Sequence, residues 1–204
     1  MNMLTFSMLT LALLGLLASQ RERAAPNPKI ISESPFTLIG ISARTTNAQE
    51  ISGRGVIGTM WQRFMGEQLL EKIPNRADSN ILALYTSYES DANGAYTFVL
   101  GAKVTSAKTI PSGMIAVKIP AGKYFVLTTD RGPTDKVVPE AWARIWSLSK
   151  SQLGGERAYK IDFELYGPHA ADPQNAQVQI YVGIKWPRTP RVHFGRESTH
   201  SCHV

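Results

Sequence analysis

The run Asp162-Phe163-Glu164-Leu165-Tyr166 places a carboxylate among aromatic and apolar residues. If it is a strand, alternate side chains share a face, so Glu164 and Tyr166 point one way and Phe163 and Leu165 the other. Segments with helical spacing carry Trp61, Trp142 and Trp146, and Tyr85 lies on a second strand-like run. A glutamate walled in by such rings would lose hydration, and its pKa would rise unless a cation paired with it. It could act as counter-ion to an organic cation, each aromatic face adding about 0.5–2 kcal/mol, or as a general acid or base. The ordinary alternative stands beside both: a strand Glu is usually solvated, and a helical Trp stripe is usually core.

Other motifs carry less. Gly53-Arg54-Gly55-Val56-Ile57-Gly58 matches G-x-G-x-x-G between a strand and a helix. A dinucleotide site also needs a following parallel strand that ends in an acid, inside a larger doubly wound sheet. Here the next strand runs into Asn93-Gly94, a hairpin signal, so the glycines are expected to shape the helix start. The chain has no G-x-S-x-G elbow, no H-E-x-x-H and no P-loop. His169, His193, His200 and His203 fall in a hairpin loop or the tail, and His200-Ser201-Cys202-His203 reads as a polar end. The single cysteine, Cys202, excludes an internal disulfide and any multi-thiolate metal site. No cofactor and no metal are expected.

The elements that must position Glu164 come from an internal repeat. Trp61 and Tyr85 are spaced like Trp142 and Tyr166, and Leu100-Gly101-Ala102-Lys103 recurs as Val182-Gly183-Ile184-Lys185. In the first half a strand at 36–45 precedes a helix over 55–73, whose Met60, Trp61, Phe64 and Leu69 form one apolar stripe. Strands at 81–88 and 96–104 follow. In the second half, strands at 114–119 and 123–129 flank the turn Pro120-Ala121-Gly122. Pro139 then opens a helix bearing Trp142 and Trp146, Gly154-Gly155 stops it, and strands at 159–166 and 178–185 close the half. The spacing predicts an α+β fold of duplicated β-α-β-β halves: a curved antiparallel sheet, two helices on one face, and a groove between the halves.

At 204 residues and 43% apolar, the chain suffices for one such domain, assigned to 36–186, with flanking segments. The net charge of +6 sits mainly outside it: residues 36–184 hold 15 Lys/Arg against 13 Asp/Glu, leaving 7 and 3 for the flanks. No basic face points to nucleic acid as a partner. Leu4–Leu17 is almost continuously apolar, about 21 Å as a helix against the roughly 30 Å of a bilayer core. Residues 1–19 therefore read as a leader, a signal peptide or anchor, implying export or attachment on the periplasmic side. Membrane contact is expected only through this segment; without it the location would be cytoplasmic. Residues 20–35 read as a linker and 187–204 as a basic polar tail.

The segments Leu84–Asp91, Gly94–Gly101, Pro111–Met114, Ile119–Tyr124, Trp142–Trp146, Asp162–Tyr166 and Ile180–Lys185 resemble, in order, the GyrI-like small-molecule-binding domain, also called the bacterial transcription-activator effector-binding domain. The resemblance implies a ligand groove between two β-α-β-β halves, with a buried glutamate at Glu164 that meets cationic lipophilic molecules among aromatic residues. The expected function is a stand-alone receptor for a hydrophobic, cationic or aromatic molecule, acting by sensing or sequestration. Glu164 would be the counter-ion and Trp61, Tyr85, Trp142, Trp146 and Tyr166 the walls. The family implies two alternatives: a hydrolase of strained electrophiles with Glu164 as acid/base, and a protein-interaction module that inhibits a partner such as gyrase.

Overall fold

The computed structural model describes residues 29–185; the leader, most of the linker stretch and the tail with Cys202 lie outside the described residues. Strand β1 (Lys29–Glu33) precedes β2 (Phe36–Thr45), which leads through helices α1 (Asn47–Ile51), α2 (Ile57–Gly66) and α3 (Leu69–Lys72) to β3 (Ile81–Thr86) and β4 (Tyr96–Val104). Strand β5 (Ile115–Ile119) precedes β6 (Gly122–Thr128), which leads through α4 (Thr134–Ser147) to β7 (Arg157–Tyr166) and β8 (Gln179–Ile184). All eight strands form one antiparallel sheet in the order β1-β6-β8-β7-β3-β4-β2-β5. The fold is the duplicated α+β arrangement, and the halves meet where β3 lies beside β7.

The end of the stretch read as a linker is structural. Lys29–Glu33 is an edge strand on β6, with Lys29 opposite Val126 and Glu33 opposite Gly122. The same antiparallel offset resumes with Phe36 opposite Ile119 and runs to Gly40 opposite Ile115. Thus β1–β2 and β5–β6 are two long strands bent together at Ser34-Pro35 and Pro120-Ala121, where proline offers no N–H to the ladder. Strands β5 and β6 flank their turn without pairing with each other. A five-residue, half-exposed strand carries too little alternation to stand out from a linker.

Among the described residues, helices cover one face only. Beneath α2 lie Ile39, Phe98 and Leu100, and beneath α4 lie Phe125, Ile180 and Val182. The opposite face has its own core of Leu38, Leu84, Val99, Phe163 and Tyr181. Strands β2 and β7 are three positions apart, about 14 Å in a flat sheet, yet the rings of Phe36 and Phe163 lie 5.9 Å apart. The sheet therefore curls on itself, and among the described residues it buries that face without helices. The repeated glycines permit the close approach: a Cβ on Gly101 would strike the Ile39 carbonyl, and one on Gly183 the Ile161 carbonyl.

The expected helix over 55–73 is two pieces, because Gln68 takes a left-handed φ of 51° between α2 and α3. Pro139 does not open the second helix; it sits inside α4, where its missing N–H leaves the Asp135 carbonyl without its helical donor. The helix begins at Thr134 and ends at Ser147, before Gly154-Gly155, so those glycines shape a later turn.

Candidate functional site

Both tryptophan-bearing helices face the seam between β3 and β7, and the space they leave is a cavity of about 920 Å³. Glu164 stands on its floor, 2% exposed. Its cross-strand partner is Ala83, which the repeat also sets opposite it, so the seam carries one carboxylate against one methyl. Tyr85 Oη donates to Glu164 Oε1 at 2.6 Å, Trp142 Nε1 donates to the same oxygen at 2.6 Å, and Tyr166 Oη donates to Oε2 at 2.7 Å. Tyr85 and Tyr166 come from equivalent strands of the two halves, so the pseudo-symmetry converges two phenols on one acid.

All three donors are neutral. Desolvation pushes the Glu164 carboxyl above its usual range, and the three hydrogen bonds only partly oppose it. Burial and the neighbouring carboxylate push the Tyr85 and Tyr166 hydroxyls well above theirs, so both remain protonated donors.

The rings interlock across the halves. Trp61 of the first half packs edge-on against Tyr166 of the second at 4.7 Å, and Trp142 of the second packs against Tyr85 of the first at 5.3 Å. Trp146 lies 6.3 Å from Trp142 and is 46% exposed, at the outer part of the cavity wall. All six residues singled out from the sequence line this one cavity.

Four further groups were missed. Tyr96, capped by Asn47 at 3.0 Å, packs against Tyr85 at 5.5 Å and extends the wall. Tyr88, Arg157 and Asp162 form a second polar cluster: Tyr88 Oη and Arg157 Nη2 each donate to Asp162 Oδ2 at 2.7 Å, and the Gly183 amide donates to Oδ1 at 2.8 Å. The i, i+2 spacing of Asp162 and Glu164 was the available signal, since it puts both acids on one strand face. The arginine was hidden by a bulge. Between Arg157 and Asp162 strand β7 spends five residues against two of β8, with Tyr159 at φ 47°.

The G-x-G-x-x-G run meets an internal anion through its central glycine, Gly55, and the two amides that follow it. Glu50 Oε1 accepts the Val56 amide at 2.9 Å and Oε2 the Ile57 amide at 3.3 Å, capping α2, while a Cβ on Gly55 would collide with that carboxylate. A phosphate would have to displace it.

A duplicated, curved antiparallel sheet with helices over its seam is the fold of the GyrI-like effector-binding class. Residues 29–184 match the family model of the integron-associated effector binding protein, Cass2, and the chain belongs to that family. It is 37% identical over 147 residues to YobU of Bacillus subtilis (strain 168), named as a transcriptional regulator, covering 72% of this chain and 90% of that one. It is 29% identical over 158 residues to the transcriptional regulator BrlR of Pseudomonas aeruginosa, covering 76% of this chain but 54% of the regulator. Among solved structures, the integron cassette protein of Vibrio cholerae superposes with a TM-score of 0.62 at 27% identity, over 78% of this chain and 97% of that one. SAV2435, solved bound to tetraphenylphosphonium, superposes with a TM-score of 0.63 at 19% identity, over 78% and 93%.

Proposed function

We propose that this protein is a receptor for hydrophobic organic cations, acting by sensing or sequestration, with Glu164 as the ligand's counter-ion. One observation carries the reading: a 2%-exposed carboxylate on the floor of an aromatic cavity is hydrogen-bonded by three neutral donors and, among the described residues, by no cation. A buried charge without a partner is unfavourable, and an incoming cation would supply the missing charge while its apolar bulk covered the rings. The binding of tetraphenylphosphonium by SAV2435, a protein of the same fold, supports this ligand class. Both Glu164 oxygens are already occupied by hydrogen bonds, which suits a fixed counter-ion better than a proton carrier in hydrolysis.

Tryptophan fluorescence titration with tetraphenylphosphonium is the test. Wild type is expected to show saturable quenching, and Glu164→Gln to bind at least tenfold more weakly. No saturable quenching, or equal affinity in the variant, overturns the reading. Turnover of a strained electrophile that is lost in Glu164→Gln would favour the hydrolase instead. The proposal extends to location: Leu4–Leu17 directs export or anchoring. Cell fractionation with an intact-mass measurement tests that part, and full-length protein in the cytosol contradicts it.

A further inference from the structure

Residues 81 positions apart are equivalent in the two halves, as Trp61 is to Trp142 and Tyr85 to Tyr166. Ala83 and Glu164 are such a pair, and they lie directly opposite each other in the antiparallel register of β3 and β7. The pseudo-twofold axis therefore passes between them, and Glu164 stands beside it, at the middle of the groove. Met65 and Trp146 are a further pair of equivalents, one helical turn, about 6 Å, beyond Trp61 and Trp142. Both line the cavity, yet Met65 is 60% and Trp146 46% exposed. A twofold rotation carries one onto the other, so they lie on opposite sides of Glu164. Ile51 is exposed and lines the cavity as well, so three of the six large apolar side chains left exposed among the described residues belong to this one site. Apolar surface left open beside a binding cavity marks a contact still to be made.

We infer that Met65 and Trp146 are the two end contacts of the ligand site, so that the pocket selects cations whose charge lies at the centre, between two apolar arms. The inference rests on the cation-receptor reading and deepens it. With the charge anchored beside the axis, a single tail can run toward only one of the two residues and leaves the other in water. Two shorter arms reach both. Trp61 packs on Tyr166 and Trp142 on Tyr85, the phenols that hold Glu164, so the inner tryptophans line the start of each arm's route. Beyond them the flexible thioether of Met65 fits irregular apolar shapes, and the Trp146 ring, tilted 34° against that of Trp142, extends the aromatic wall outward. Each methylene taken from water onto such surface strengthens binding about fourfold.

Dihexyldimethylammonium and undecyltrimethylammonium are isomers that differ in where the charge sits along the same carbon content. Titrated calorimetrically against the full chain, below their micellar concentrations, the dihexyl isomer is expected to bind about tenfold tighter, the gain from burying roughly two further methylenes. Combining Met65→Ser with Trp146→Ser removes both end contacts from exposed positions, and the isomers should then bind within about twofold of each other. Parity or an undecyl preference in wild type, or an undiminished dihexyl preference in the double variant, would overturn the inference while leaving the cation receptor intact. Binding of neither isomer while tetraphenylphosphonium still binds overturns the inference alone, and binding of none of the three overturns both. If the double variant does not fold, the single variants decide: each should lower the dihexyl preference about threefold, and an unchanged preference in both sinks the inference.

Discussion

Asp162 and Glu164 are two buried acids on one face of one strand, and the protein treats them differently. Asp162 is wholly buried and fully furnished, with the Arg157 guanidinium, the Tyr88 hydroxyl and the Gly183 amide. Glu164 is equally sheltered but has, among the described residues, only phenol and indole donors. Arg157 gives the first a counter-charge; among the described residues no cation contacts the second. The difference separates an acid that is ion-paired within the fold from one that, under the proposed function, is left for a ligand.

The sharpest way to break the comparison is to remove the charge of Asp162. Asp162→Asn leaves Arg157 buried without a counter-charge, and denaturant unfolding should show a loss of about 3–5 kcal/mol. Glu164→Gln should do the reverse. It removes an unpaired buried charge, so the melting temperature should rise by a few degrees, the shift about 1 kcal/mol produces in a domain of this size, while cation affinity falls. If Glu164→Gln destabilises as strongly as Asp162→Asn, the two acids are equivalent and the contrast fails.

The same contrast sharpens with pH. Desolvation raises the Glu164 pKa, so the folded chain keeps this proton to higher pH than the unfolded chain does. Stability from Glu164 is therefore present below the unfolded carboxylate pKa and lost as pH rises through the folded value. Cation affinity moves oppositely, weakening on acidification at a pH above the ordinary carboxylate range. Denaturant melts and tetraphenylphosphonium titrations at stepped pH should show both trends in wild type and neither in Glu164→Gln.

The two tryptophans offer the smallest effects. Trp142 donates to Glu164 whereas Trp61 packs on Tyr166 and Phe64. Trp142→Phe should cost about 1.5 kcal/mol or more as a hydrogen bond to a charged acceptor is lost. Trp61→Phe, which removes part of a half-buried ring, should cost less than about 1 kcal/mol. Equal losses in denaturant unfolding would mean that the indole N–H contributes nothing beyond its bulk.

Much of the architecture was legible because it repeats. The recurring tryptophan–tyrosine spacing and the paired glycine runs marked two halves, and alternation on β7 put Glu164 and Tyr166 on one face. What escaped depended on pairing at a distance or on local exceptions. Strand β1 is explained only by its partner β6. The start of α4 was displaced because Pro139 is tolerated inside a helix packed against the sheet. Arg157 reaches Asp162 only through a bulge and a left-handed Tyr159, neither of which a regular strand pattern signals.

Infrared difference spectroscopy of the Glu164 carboxyl, wild type minus Glu164→Gln, follows the central group itself. A protonated carboxyl band persisting above the ordinary carboxylate range in the free protein, and ionising when tetraphenylphosphonium is added, is the predicted result. A carboxyl that titrates normally and ignores the cation would contradict the account.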